Sequence, residues 1–149
     1  MRAVIQRVKE ASVEIDGNIV GRIGQGFLVL LGIHRDDTII DISWMIDKII
    51  NLRIFEKEDG KFDESLLDIN GGLLVVSQFT LYGDCSKGRR PSFGSAMGVI
   101  SAKALFELFV EKAREKVSQV ETGIFQASMN VSLMNYGPVT VIVDSKKEL

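Results

Sequence analysis

The chain of 149 residues has one cysteine, Cys85, which excludes an intramolecular disulfide and a cysteine-based zinc cluster. It has one histidine, His34, which excludes multi-histidine metal sites. No metal and no other cofactor is therefore expected. Neither sign of charge dominates: 18 Lys+Arg against 20 Asp+Glu give a net charge of -2. That excludes binding of polyanions by overall positive charge and leaves a local basic patch open. No stretch approaches the ~18 consecutive apolar residues of a membrane helix, and the best run, Phe27 to Ile33, is far shorter. The opening MRAVIQRVKEASVEI carries charges every few residues, unlike a secretory signal. The expectation is a cytoplasmic protein with no membrane partner. The chain also lacks G-x-S-x-G, H-E-x-x-H, G-x-x-x-x-G-K-[ST] and G-x-G-x-x-G.

What is present reads as one domain over residues 1–149, with 46% hydrophobic and 26% charged residues and no linker or repeat. Arg2 to Lys9 reads as a strand. Ser12 to Ile15 and Ile19 to Ile23 alternate apolar and polar residues around Asp16-Gly17-Asn18, which predicts a hairpin. Phe27 to Ile33 predicts a strand buried on both faces. Residues 38–51 switch to helical spacing, with Asp37 or Thr38 as the cap. Short strands are predicted at Leu52 to Glu56 and Lys61-Phe62, and a longer one at Leu73 to Thr80. Residues 83–95 predict a loop, and Ser101 to Val117 a second helix. The tail predicts two strands, Met129 to Leu133 and Val139 to Val143. Short turns between many strands predict an α+β domain, a largely antiparallel, curled, barrel-like sheet packed with two main helices.

Three stretches are candidates for chemistry. Ser77-Gln78-Phe79-Thr80 ends an apolar strand with polar residues, where backbone N–H groups leaving the sheet can aim at a ligand. Asn135-Tyr136-Gly137-Pro138 sets one of only two prolines between strand-like runs. Lys87-Gly88-Arg89-Arg90-Pro91-Ser92-Phe93 is a basic loop that can take phosphate. His34, beside Arg35, Asp36 and Asp37, reads as a surface loop histidine. Cys85 has cationic neighbours that favour a thiolate but no evident base, so it reads as a bystander.

These stretches, together with MRAVIQRV, LRIFE, VVSQFTLYGD, TGIFQASM and NYGPVT, resemble the D-aminoacyl-tRNA deacylase family from end to end. The resemblance implies a homodimer that hydrolyses the ester between a D-amino acid and the 3′-terminal adenosine of tRNA, with RNA and not DNA as partner. It implies that Ser77, Gln78, Phe79 and Thr80 line the reacting carbonyl. It implies a cis Gly137-Pro138 pair that enters the partner subunit's site and excludes the L-enantiomer. By the same resemblance Arg7 supports that loop, Phe125 and Met129 hold the adenine, and Lys87, Arg89 and Arg90 meet tRNA phosphates. Tyr136, Gln126 and Phe62-Asp63-Glu64 depart from the usual family pattern. An aminoacyl ester is already activated, so backbone donors at Gln78 to Thr80 and the substrate's 2′-hydroxyl can serve in place of a histidine. The alternatives are a small-molecule esterase or amidase with Thr80 as nucleophile, and a non-catalytic RNA-binding dimer.

Overall fold

The computed structural model describes residues 1–149. Strand β1 runs without a break from Arg2 to Ile15. Its first half pairs antiparallel with β3 (Gly26–Gly32), and its second half with β2 (Asn18–Ile23). The hairpin turn takes positive φ at Asp16 and Gly17, as an Asp-Gly turn demands. On its other edge β1 pairs along its whole length with the final strand, which we label β8 (Asn130–Asp144).

Beyond β3 the sheet changes direction. Strand β6 (Gly72–Ser77) lies parallel to β3, and β7 (Val120–Thr122) lies parallel to β6. Two helices make the crossovers: α1 (Ile39–Asn51) between β3 and β6, and α2 (Val99–Arg114) between β6 and β7. The sheet is thus mixed, antiparallel around β1 and parallel from β3 to β7. It curls until its ends nearly meet. A Cβ on Gly21 of β2 would lie 2.5 Å from the carbonyl oxygen of Thr122 in β7, so only glycine admits that approach. A small ribbon, β4 (Phe55–Glu56) with β5 (Phe62–Glu64), sits apart.

Alternation along β3 explains its burial on both faces. Phe27, Val29 and Leu31 meet Ile42, Met45, Ile46 and Ile49 of α1 and Phe106 and Phe109 of α2 in the larger core. Leu28 points the other way, into the curl of the sheet, with Val8, Val13, Ile23, Leu74 and Val76. Helix α1 starts at a capping box: Thr38 Oγ1 accepts from Ile40 N, and Asp41 accepts from Thr38 N. Asp41 also takes a bond from the Ser145 hydroxyl at 2.7 Å and lies 3.2 Å from the Lys146 ammonium. Burial alone would raise its carboxyl, but the Ser145 hydroxyl, the Thr38 amide and Lys146 outweigh it and hold the pKa at about 2. No helix is long and apolar enough to cross a membrane.

Candidate active site

The Ser77 to Thr80 segment stands where β6 leaves the sheet. Ser77 is the last strand residue, opposite Leu31, and Gln78 N still donates to Leu31 O at 2.8 Å. The strand expected to reach Thr80 therefore ends earlier, and the Gln78 amide is engaged by the sheet. The chain then winds into a 3-10 turn over Phe79–Tyr82, whose first bond runs from Leu81 N to Gln78 O. Phe79 and Thr80 precede that bond, so their N–H groups have no partner inside the turn. Gln78 Nε2 donates to Thr80 Oγ1 and fixes both side chains. Gly32, at the end of β3, admits the turn closely: a Cβ there would lie 3.1 Å from Gln78 O.

Tyr82 anchors the turn from behind. It is buried, with Arg2 4.7 Å over its ring and the His34 ring 5.2 Å away. Burial and the charges of Asp37 and Asp144 push its phenol up, so it stays protonated. His34 is not the surface histidine expected. Its side chain is 12% exposed, and its Nδ1 accepts from Asp36 N. It packs against the Tyr82 ring.

A groove of about 500 Å³ opens beside this turn. Ser77, Gln78 and Phe79 line one side, Met97, Val99 and Ala102 of the α2 entry another, and Phe125, Met129 and Val131 the third. Two segments far apart in sequence, Ser77 to Phe79 and Phe125 to Met129, thus share one apolar cleft with a polar edge. Phe125 leans on Phe106 of the core at 5.9 Å, and Met129 packs against the cluster inside the curled sheet. Gln126 takes φ +66°, a left-handed conformation that suits glycine and that this residue adopts here. The apolar lining from α2 carries no chemical signature, and sequence reasoning missed it.

The basic loop is tied to this groove through Phe93, which meets the groove residue Phe79. Backbone bonds of 2.8 and 3.0 Å between Asp84 and Ser92 close it. Lys87, Arg89 and Arg90 are exposed on it, along with Cys85. Phe93 follows the closure and meets Phe79 edge-to-face, with ring centroids 5.1 Å apart.

Gly137 and Pro138 lie elsewhere. They sit in a bulge of β8: Gln6 pairs with Thr140 and Val8 with Asn135, so Arg7 alone faces residues 136 to 139. The Gly137–Pro138 peptide is cis, and Gly137 takes φ +124°. Buried Arg7 holds the bulge. Its Nε donates to Tyr136 O at 2.9 Å, its Nη1 to Ile54 O at 2.9 Å, and its guanidinium lies 4.8 Å from the Tyr136 ring. Asn135, named in the candidate stretch but given no role of its own there, ties the bulge from inside. Its Oδ1 accepts from Val139 N and its Nδ2 donates to Thr140 Oγ1, both at 2.8 Å. An Asx residue just ahead of a Gly-Pro pair is a turn signal that points to it.

The whole chain is similar to known proteins. Residues 4–144 match the family model described as D-Tyr-tRNA(Tyr) deacylase. The D-aminoacyl-tRNA deacylase of Kosmotoga olearia is 59% identical over 148 residues, covering 99% of each chain. A solved structure named c-Myc DNA Unwinding Element Binding Protein superposes with TM-score 0.93 at 41% identity, over 97% of this chain and 99% of that one. A probable eukaryotic D-amino acid tRNA deacylase, 21% identical, shares the fold with TM-score 0.79 over 95% and 97% of the two chains. With whole-length identity and the family model both in agreement, the chain belongs to the D-Tyr-tRNA(Tyr) deacylase family.

Proposed function

We propose that this protein hydrolyses the ester bond of D-aminoacyl-tRNA and releases free D-amino acid and tRNA. The observation that carries the reading is the groove that joins Ser77, Gln78 and Phe79 to Phe125 and Met129. The terminal adenine lies between Phe125 and Met129, and the ester carbonyl faces the Ser77–Thr80 edge. The Phe79 and Thr80 amides donate to the oxyanion that develops as water attacks. A preorganised donor of this kind is worth ~3–4 kcal/mol. The ribose 2′-hydroxyl of the substrate relays the proton: it accepts one from the attacking water and gives its own to the 3′-oxygen as the ester C–O bond breaks. A nucleophilic Thr80 would need an adjacent base, and its hydroxyl instead accepts from the Gln78 side-chain amide, which is not one. Lys87, Arg89 and Arg90 take tRNA phosphates.

Gly137 and Pro138 exclude the L-enantiomer from the site of a second copy of the chain, so the active form is a homodimer. Supporting this, Val131 lines the groove while Gly137 lies six residues further along the same strand. That is roughly 20 Å at the rise of a strand, which sets the pair away from the groove of its own chain. Action on tRNA fits a cytoplasmic protein.

A second reading comes from the structure named as a DNA-unwinding-element binding protein, because loop cations suit any polyanion. The discriminating experiment measures D-tyrosine release from D-tyrosyl-tRNA and from D-tyrosine methyl ester, with single-stranded DNA as competitor. The reading expects rapid release from tRNA, little from the methyl ester, and weak inhibition by DNA. Equal rates on both esters support a small-molecule esterase, and DNA binding without hydrolysis supports the second reading.

A further inference from the structure

We propose that the Phe79–Phe93 pair is a stacking platform for the nucleotide immediately 5′ to the terminal adenosine of the substrate. The inference rests on the reading that the groove takes a 3′-terminal aminoacyl-adenosine. Phe79 is 56% exposed and Phe93 37% exposed, although they meet edge-to-face. Two adjacent aromatic rings left in water leave apolar area to be covered by a ligand.

The platform is held rigidly. Phe93 rests against the bare backbone of Gly83, where a Cβ would lie 3.0 Å from its ring. The residue before it, Ser92, is fixed by both backbone bonds to Asp84. The loop between those two anchors carries Lys87, Arg89 and Arg90, all exposed. Phe79 lines the groove as well, so the platform continues directly from the adenosine site.

Sites for single-stranded nucleic acid combine cations that follow the backbone with aromatic faces that take bases. Charge alone would suit any polyanion, and exposed rings alone any apolar partner. Set side by side at the mouth of a nucleoside groove, they fit the unpaired end of an RNA strand. A base leaving the groove meets Phe79 first and Phe93 next, with its phosphate toward the loop.

The test uses two esters that differ only in the neighbouring nucleotides: D-tyrosyl-adenosine, and D-tyrosine carried on a cytidylyl-cytidylyl-adenosine trinucleotide. Phe93→Leu keeps apolar bulk on Gly83 and removes the aromatic face. It is expected to lower kcat/KM on the trinucleotide ester about tenfold, the equivalent of ~1.4 kcal/mol, and to leave the adenosine ester unchanged. Phe93→Trp is expected to match the wild type on both. Loss of equal size on the two esters would make Phe93 a mere support for Phe79 and overturn the platform. So would a Phe93→Leu protein that cleaves the trinucleotide ester normally. Wild-type protein that cleaves neither ester would overturn the hydrolase reading and the platform with it.

Discussion

Arg7 donates to the carbonyl of Tyr136 at 2.9 Å while its guanidinium lies 4.8 Å from the Tyr136 ring. One side chain of β1 thereby fixes the residue that leads into Gly137-Pro138, using a hydrogen bond and a cation–π contact together. Phe62 sits over the guanidinium as well, at 5.4 Å, and Glu56 pairs with it at 3.4 Å. Tyr136 and Phe62 thus meet at the same arginine.

Replacing Arg7 with alanine leaves the carbonyls of Tyr136 and Ile54 without their donor beneath the bulge. The expected loss is about 3 kcal/mol of stability, from unsatisfied buried acceptors and lost packing. Thermal unfolding should move down by roughly 6–12 °C, and deacylation should fall further than stability explains. Unchanged activity in a folded Arg7→Ala protein would separate Arg7 from the Gly137-Pro138 loop.

Gly137→Ala should be harmful for a local reason. The new Cβ would lie 2.7 Å from Arg7 Nη2 and 2.8 Å from a methyl of Val139, at φ +124°. Strain of ~1–3 kcal/mol follows for a residue with a side chain in such a conformation. Urea unfolding should report that loss, and kinetic assays should report lower turnover of D-substrate.

Thr80→Ala removes the hydroxyl that Gln78 holds but keeps the backbone amide. If the amides carry the oxyanion, the variant keeps activity within about tenfold of wild type, and no acyl-enzyme accumulates. Loss of all turnover, with an acyl adduct trapped on Thr80 of the wild type, would establish covalent catalysis instead.

Asp41 makes stability depend on pH in acid. Its folded-state pKa of about 2 lies below the ordinary 3.8. The stabilisation is therefore complete above pH 3.8 and is lost as pH falls through 2, and it amounts to roughly 2 kcal/mol. Asp41→Asn should lower the urea midpoint at pH 7 and flatten the decline between pH 4 and pH 2. An identical acid profile in the variant would remove Asp41 from this role.

Much of the fold is legible because local signals agree with tertiary demands. The Asp16-Gly17-Asn18 turn, the Thr38 cap and the unbroken apolar run of β3 each carry their own signal. The parallel half of the sheet is not legible in this way. Only Val120 is buried in the three residues of β7, too little for a periodic pattern. The final strand reads as two because its alternation breaks at Tyr136 to Val139, where the bulge turns residues out of register. The end of β6 reads one turn too long because a 3-10 turn and a strand both tolerate Phe79-Thr80-Leu81. At the site, SQFT and Gly-Pro are visible as motifs. That Ser77, Gln78 and Phe79 share a groove with α2 residues, while Gly137 and Pro138 sit in the β8 bulge, emerges only in three dimensions.

The most direct measurement of the central claim is deacylation of matched D-tyrosyl-tRNA and L-tyrosyl-tRNA across a range of protein concentrations. The account predicts rapid release of D-tyrosine and survival of the L-ester at concentrations that exhaust the D-ester. Cleavage of both at similar rates would contradict the exclusion of the L-enantiomer, and cleavage of neither would contradict the hydrolase itself.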